Sequence, residues 1–168
     1  MGAPRPQRLR LVADPGRIHA EREGLKGWLA RELEDRFVAL HRRASGVPYS
    51  LESAARGARK VKTQALVYLA AGNPELAARM AAEQYERSDN MTDRQGALMV
   101  LTGLASPERT HKLLDFYNRY RGDALVIDKW FMLQSGSLHP AVLQHVEALA
   151  GHADFTLRNP NRVRSLYM

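Results

Sequence analysis

The chain has 168 residues, 45% of them apolar, no cysteine and a formal net charge of +7, which is material for one domain with a core of its own. Lack of cysteine excludes disulfide staples and thiolate metal sites and points to a reducing, cytoplasmic setting. No run approaches the roughly 18 apolar residues of a membrane span, and the basic, proline-containing stretch Met1–Leu11 does not resemble a secretory leader.

Charge is unevenly spread. Residues 1–60 hold 13 Lys or Arg against 7 Asp or Glu, whereas the remaining 108 residues hold 12 against 11. A basic N-terminal third suits phosphate, nucleic acid or an acidic partner surface, or else a solvated helix face. Leucine and alanine dominate the apolar set, and both lose little side-chain freedom in a helix.

Residues 1–14 read as a flexible or leftover arm. Asp14-Pro15 then starts a helix, with a capping carboxylate before a proline whose missing N–H costs nothing in the first turn. Ile18, Leu25, Trp28, Leu29, Leu33, Phe37 and Leu40 recur at near-helical spacing, so this helix is expected from about 15 to 43, with any break at Gly24 or Gly27. Gly46-Val47-Pro48 ends it. Ser50 is expected to cap a second helix running to Ala71, and Gly72-Asn73-Pro74 stops that one and starts the next, carrying Leu76, Ala77, Met80, Ala81 and Tyr85.

Thr92 is expected to cap the following helix, with Asp93 in its first turn and Ala97, Leu98, Leu101 and Leu104 as its buried stripe. Ser106-Pro107 repeats the cap-plus-proline signal before Leu113, Leu114, Phe116, Tyr117 and Tyr120. Gly122-Asp123 precedes a helix over Leu125–Leu133. Ser137 or His139 with Pro140 opens another, carrying Val142, Leu143, Val146 and Leu149, and Asn159-Pro160 opens a last short one ending at Leu166, Tyr167 and Met168. Seven or eight helices with short links and no period-two strand predict an all-α fold, arranged as a right-handed stack of antiparallel helix pairs, an alpha-alpha superhelix, with an irregular bundle as the compact alternative. The last helix, barely two turns, is too short to persist alone, so the chain reads as truncated or reliant on a neighbour.

Catalytic patterns are missing. His19, His41, His111, His139, His145 and His152 include no i, i+4 pair with a glutamate between, the arrangement that puts two zinc ligands beside a base on one helix face. His139, His145 and His152 are too widely spaced to share one side of a helix. No Gly-x-Ser-x-Gly elbow or phosphate loop occurs, and Glu32 with Asp35 is ordinary charged-face spacing. Catalytic residues and metal ligands are therefore both expected to be none.

Three polar stretches are more specific. Asn90, Met91, Thr92, Asp93 and Arg94 put an amide, a hydroxyl and a carboxylate at a helix entrance, where orphan N–H groups need acceptors. Asp128, Lys129, Trp130 and Phe131, with Gln134 behind, suggest an aromatic anchor beside a carboxylate that holds an arginine or lysine. Asn159, Pro160 and Asn161 lead into Arg162 and Arg164, whose charge near the positive helix end calls for a carboxylate partner or an anion.

Together with Tyr49-Ser50-Leu51-Glu52, Ala58-Arg59-Lys60-Val61-Lys62, Gln84-Tyr85, Leu125-Val126-Ile127, His152, Phe155 and Val163 through Leu166, these stretches resemble the C-terminal helical domain of M1 zinc aminopeptidases, in the bacterial aminopeptidase N (alanyl aminopeptidase) branch. The likeness runs in order through residues 15–166. It implies that residues 15–168 are a fragment of that domain, a non-catalytic helical region that packs on and encloses the active site of a cytoplasmic zinc enzyme cleaving N-terminal residues from peptides. The zinc and its ligands would lie in another domain, so this chain needs no cofactor of its own. Partners would be the catalytic and other domains, with peptide substrate only in the full enzyme and no membrane. Arg162, then Arg164, then Arg121 are the expected substrate-channel arginines. Two alternatives differ in class: an independent helical protein- or peptide-interaction module prone to self-association, and weak nucleic-acid binding through the basic N-terminal third.

Overall fold

The computed structural model describes residues 14–167. The expected arm, residues 1–13, and Met168 lie outside the described residues. Those described form nine helices and no strand: α1 (Pro15–Glu32), α2 (Glu34–Ser45), α3 (Ser53–Gly72), α4 (Pro74–Arg87), α5 (Met91–Thr102), α6 (Pro107–Tyr120), α7 (Ala124–Ser135), α8 (Val142–Ala150) and α9 (Pro160–Tyr167).

Four of the five cap-plus-proline signals start a helix; at His139-Pro140 the His139 ring accepts the Ala141 amide in a turn, and α8 begins only at Val142. Asp14 accepts from the amides of Gly16 and Arg17, Asn73 from Leu76, Ser106 from Arg109, and Asn159 from Asn161 and Arg162. Two other starts are corrected. α3 begins at Ser53, because Ser50 spends its hydroxyl on the Glu52 amide at 3.3 Å instead of capping a helix. α5 is capped by Asn90, whose Oδ1 accepts the Asp93 amide at 2.9 Å, so Thr92 already lies inside the helix.

The expected long first helix is two helices. Its break falls at Leu33 (φ −117°, ψ 22°), not at either glycine. The backbone loses little there: the Leu33 amide still donates to Leu29 and its carbonyl still accepts from Phe37, both at 3.0 Å. The bend turns α2 onto α3, where Phe37 stacks on Tyr68 with ring centroids 4.7 Å apart. Gly27 stays helical and buried, and a Cβ there would stand 3.4 Å from the Ala71 carbonyl oxygen. Closer still, a Cβ on Gly72 would lie 2.7 Å from Ala30 Cβ. Small residues thus let α1 rest directly on the end of α3.

The helices stack in two staggered series. α1, α3, α5, α7 and α9 each touch the next odd-numbered helix, while α2, α4, α6 and α8 pack against them from the other side. The shared core is built from Leu66 and Leu69 of α3, Ala77, Ala81 and Tyr85 of α4, Leu98 and Leu101 of α5, Phe116 of α6, and Ile127 and Phe131 of α7. This is the stacked helix-pair architecture expected of an alpha-alpha superhelix.

Candidate functional site

α9 is fastened to α7 by one arginine. Arg162 is 6% exposed. Its Nε donates to Asp128 Oδ1 at 2.5 Å, Nη2 to the Ala124 carbonyl at 3.4 Å, and Nη1 to the Asp154 carbonyl. The guanidinium lies 4.9 Å from the Phe131 ring centroid. A buried charge needs such complete pairing. Asp128 is therefore the carboxylate that the first turn of α9 calls for, and Arg162 lies buried against α7. Arg164 and Arg121 are exposed.

Aromatic rings surround the clamp. Trp130 is buried and donates from its indole to the Leu113 carbonyl at 3.0 Å, and Gln134 donates to the Trp130 carbonyl at 3.1 Å. His152 packs against Tyr117, Trp130 and Phe131, and Tyr117 donates its hydroxyl to Asp154 at 2.6 Å. Lys129, beside them in sequence, is only half-buried, while Pro160 and Asn161 are exposed at the start of α9.

A second polar cluster joins α2 to α5. Lys62 donates to Asp93 Oδ2 at 2.6 Å, and both residues are 7% exposed. Asn90 Nδ2 donates to the same oxygen at 3.1 Å while its Oδ1 caps the helix. Gln84 donates to the Asp93 carbonyl and faces His41 Nε2, each at 2.9 Å. Burial holds the His41 pKa below its usual value, against the opposing pull of the Gln84 hydrogen bond. Arg94 reaches away, donating to the Tyr120 hydroxyl at 2.6 Å and to the Ser88 carbonyl. Met91 packs against the core, and Thr92 is exposed. His41, Lys62, Gln84, Asn90 and Asp93 form one wall of a cavity of about 700 Å³, whose other walls include Tyr49, Arg59, Glu83 and Arg87. Asp93 Oδ1 is buried and, among the described residues, has no hydrogen-bond partner.

Between α1, α3, α5 and α7 lies a third feature, an apolar groove of about 530 Å³ lined by Val67, Ala71, Met99, Leu104, Met132 and Leu138 among others. α1 lends Glu23 and Lys26 to this groove, and on another face presents Ile18, Leu25 and Trp28, at 50%, 58% and 52% exposure. The apolar stripe that marks α1 as a helix therefore lies mostly open, since the buried residues of α1 are Gly27 and Ala30, which are not part of it. Sequence reading found the helix but missed this outward face, because periodicity reports that a stripe exists and not what covers it. It also missed the His41–Gln84 pair and the contact of Arg109 with His145, which join residues 43 and 36 positions apart.

Among the described residues, no three or more His, Asp or Glu side chains gather as a metal-binding group. No helix among them is long and apolar enough to cross a membrane.

The family described as "Domain of unknown function (DUF3458_C) ARM repeats" matches residues 6–168. Aminopeptidase N of Escherichia coli (strain K12) is 34% identical over 155 residues, which is 92% of this chain and 18% of that protein. Aminopeptidase N of Haemophilus influenzae is 34% identical over 153 residues, 91% of this chain and 17% of the relative. The corresponding Caulobacter vibrioides protein is 34% identical over 157 residues, 92% and 18%. The crystal structure of Legionella pneumophila aminopeptidase A in complex with aspartic acid superposes with a TM-score of 0.80 at 27% identity, covering 92% of this chain and 19% of that one. The chain thus spans less than a fifth of the length of the curated relatives it matches.

Proposed function

The chain belongs to the DUF3458_C ARM-repeat domain family, and from that premise we propose that it is the C-terminal, non-catalytic helical domain of an aminopeptidase, packing on and enclosing an active site carried by other domains. The parent activity would be zinc-dependent removal of N-terminal residues from peptides, in the cytoplasm, with residues 15–168 as the helical unit. The single observation that carries this reading is the open apolar face of α1, formed by Ile18, Leu25 and Trp28. Large apolar side chains left exposed along one helix stripe suit a surface that a partner covers. Buried charges, by contrast, are already paired within the chain, as Lys62–Asp93 and Arg162–Asp128.

Zinc does not fit the donors present here. His41 gives a ring nitrogen to Gln84 and His145 gives one to Arg109, and no cluster of three donors exists among the described residues. No step through a metal is assigned to this chain. Substrate steering passes from Arg162 to the exposed pair Arg164 and Arg121, which can attract a peptide carboxylate without ordering it tightly.

The test pairs an activity assay with reconstitution. The chain alone, with zinc added, should leave an aminoacyl arylamide intact, and it should co-purify with the remaining domains of an aminopeptidase that lacks the matching region. Zinc-dependent turnover by the chain alone would overturn the proposal. The same open face supports a second reading, self-association of the isolated chain, which solution mass measured across concentration would register.

A further inference from the structure

Two imidazoles, His139 and His145, meet just past the segment of chain that lines the apolar groove. Ser137 and Leu138 line its wall. The next residue, His139, accepts the Ala141 amide at Nδ1 over 3.0 Å. Its ring centroid lies 4.6 Å from that of His145, and His145 Nδ1 is 2.9 Å from Arg109 Nη2. An arginine only donates, and so does an amide N–H. Both Nδ1 atoms must therefore be acceptors, which leaves each ring neutral with its proton on Nε2. Arg109 Nε also donates to the Thr102 carbonyl at 3.3 Å, and Thr102 belongs to the groove wall as well. The helix these contacts hold is weakly anchored: Leu149 is the only buried residue of α8. Its packing neighbours are α7 and α9, so the Arg109–His145 bond reaches it from α6, outside that packing.

We propose that Arg109, His145 and His139 form a proton-operated latch: with both rings neutral it pins α8 and the link after α7 to the junction of α5 and α6, and proton uptake releases them, loosening one wall of the groove. A proton at either Nδ1 sets donor against donor. It also adds positive charge beside a guanidinium that no carboxylate among the described residues offsets. The charges that act on His145 are Arg109 and His139, and the one that acts on His139 is Arg109. Glu108 and His111 on α6, Glu147 on α8, and the charged groups of α7 and α9 are not among them, and α5 contributes only the Thr102 carbonyl. Burial first, then Arg109, holds both pKa values below the usual 6.5. The latch therefore contributes fully above that value and weakens as pH falls from it toward the depressed folded-state values. The latch stands whether or not the groove receives a partner; its effect on docking rests on the function proposed above.

Hydrogen–deuterium exchange of the full chain at about pH 7.5 and pH 5.5, corrected for the intrinsic effect of pH, reads the latch directly. Peptides covering residues 136–150 should exchange on the order of tenfold faster at the lower pH, while α3 and α4 hold steady. In the double variant His139→Asn/His145→Asn, each amide oxygen takes the place of Nδ1 without titrating, so the pH response should vanish. Equal protection of the native chain at both pH values, or a double variant that keeps the drop, would overturn the latch. Nitrogen-15 shifts provide a check free of substitution: both rings should be the neutral Nε2–H tautomer at neutral pH and should titrate together with the loss of protection. Rings that titrate while residues 136–150 stay protected would also overturn it. A latch that opens while affinity for the remaining domains is unchanged removes the docking role alone.

Discussion

Arg162 Nε and Asp128 Oδ1 meet at 2.5 Å across 34 residues of sequence, and that contact turns the short α9 into a fixed part of the stack. Removing the arginine leaves a mostly buried carboxylate without its partner. Arg162→Ala is expected to cost about 3–5 kcal/mol, read as a lowered urea midpoint. Arg164→Ala, two residues on and exposed, should stay within about 0.5 kcal/mol. Equal losses in the two variants would mean that the clamp carries no stability of its own.

Two glycines of α3 should respond in opposite directions to the same change. At Gly72 a Cβ meets Ala30 Cβ at 2.7 Å and the Ala30 carbonyl carbon at 2.9 Å, so Gly72→Ala must push α1 away, at about 1–3 kcal/mol. At Gly57 nothing lies within 4 Å, and Gly57→Ala should stabilise the helix by about 0.5–1 kcal/mol through lost freedom of the unfolded chain. Thermal unfolding of both variants decides the matter.

Among the described residues Lys62 is the only cation on Asp93, which also accepts from Asn90. Lys62→Met should destabilise by about 3–5 kcal/mol because a buried charge loses its partner. Lys60→Met, two positions away and exposed, should change the unfolding free energy by less than about 0.5 kcal/mol. Denaturant titration of the pair tests whether the polar cluster between α2 and α5 holds the stack together.

Trp28 separates folding from docking. Because it is 52% exposed, Trp28→Ala should alter the stability of the chain by less than about 1 kcal/mol. Under the proposed function the same change should weaken binding to the remaining aminopeptidase domains by about 2 kcal/mol, the scale of an aromatic hot spot. Titration calorimetry of the reconstituted pair checks this, and unchanged affinity would place the docking face elsewhere.

Local chemistry was the legible part of the fold. Where Asp, Asn or Ser precedes proline, as at Asp14, Asn73, Ser106 and Asn159, the helix starts where the sequence says it should, whereas after His139-Pro140 it starts two residues late, at Val142. Where no proline follows, neighbouring polar residues compete, and the choice of Asn90 over Thr92 was not visible. The bend at Leu33 was hidden for a different reason: it comes with the seating of Phe37 on Tyr68 of another helix, which no local residue announces. The polar stretches around Asp128 and Arg162 showed the types of charge that would pair, but not that they would pair with each other. His41 with Gln84 and Arg109 with His145 carried no local signal at all, since spacing along one helix is silent about partners on another.

Every helix-to-helix contact among the described residues joins an element to the next or the next but one. Cohesion is therefore passed along hand to hand, with no tie from the first helix to the last. Such a chain closes only short loops as it folds, so assembly can start at several places and spread. It can also yield at one end while the other keeps its shape, so local damage need not bring down the whole column.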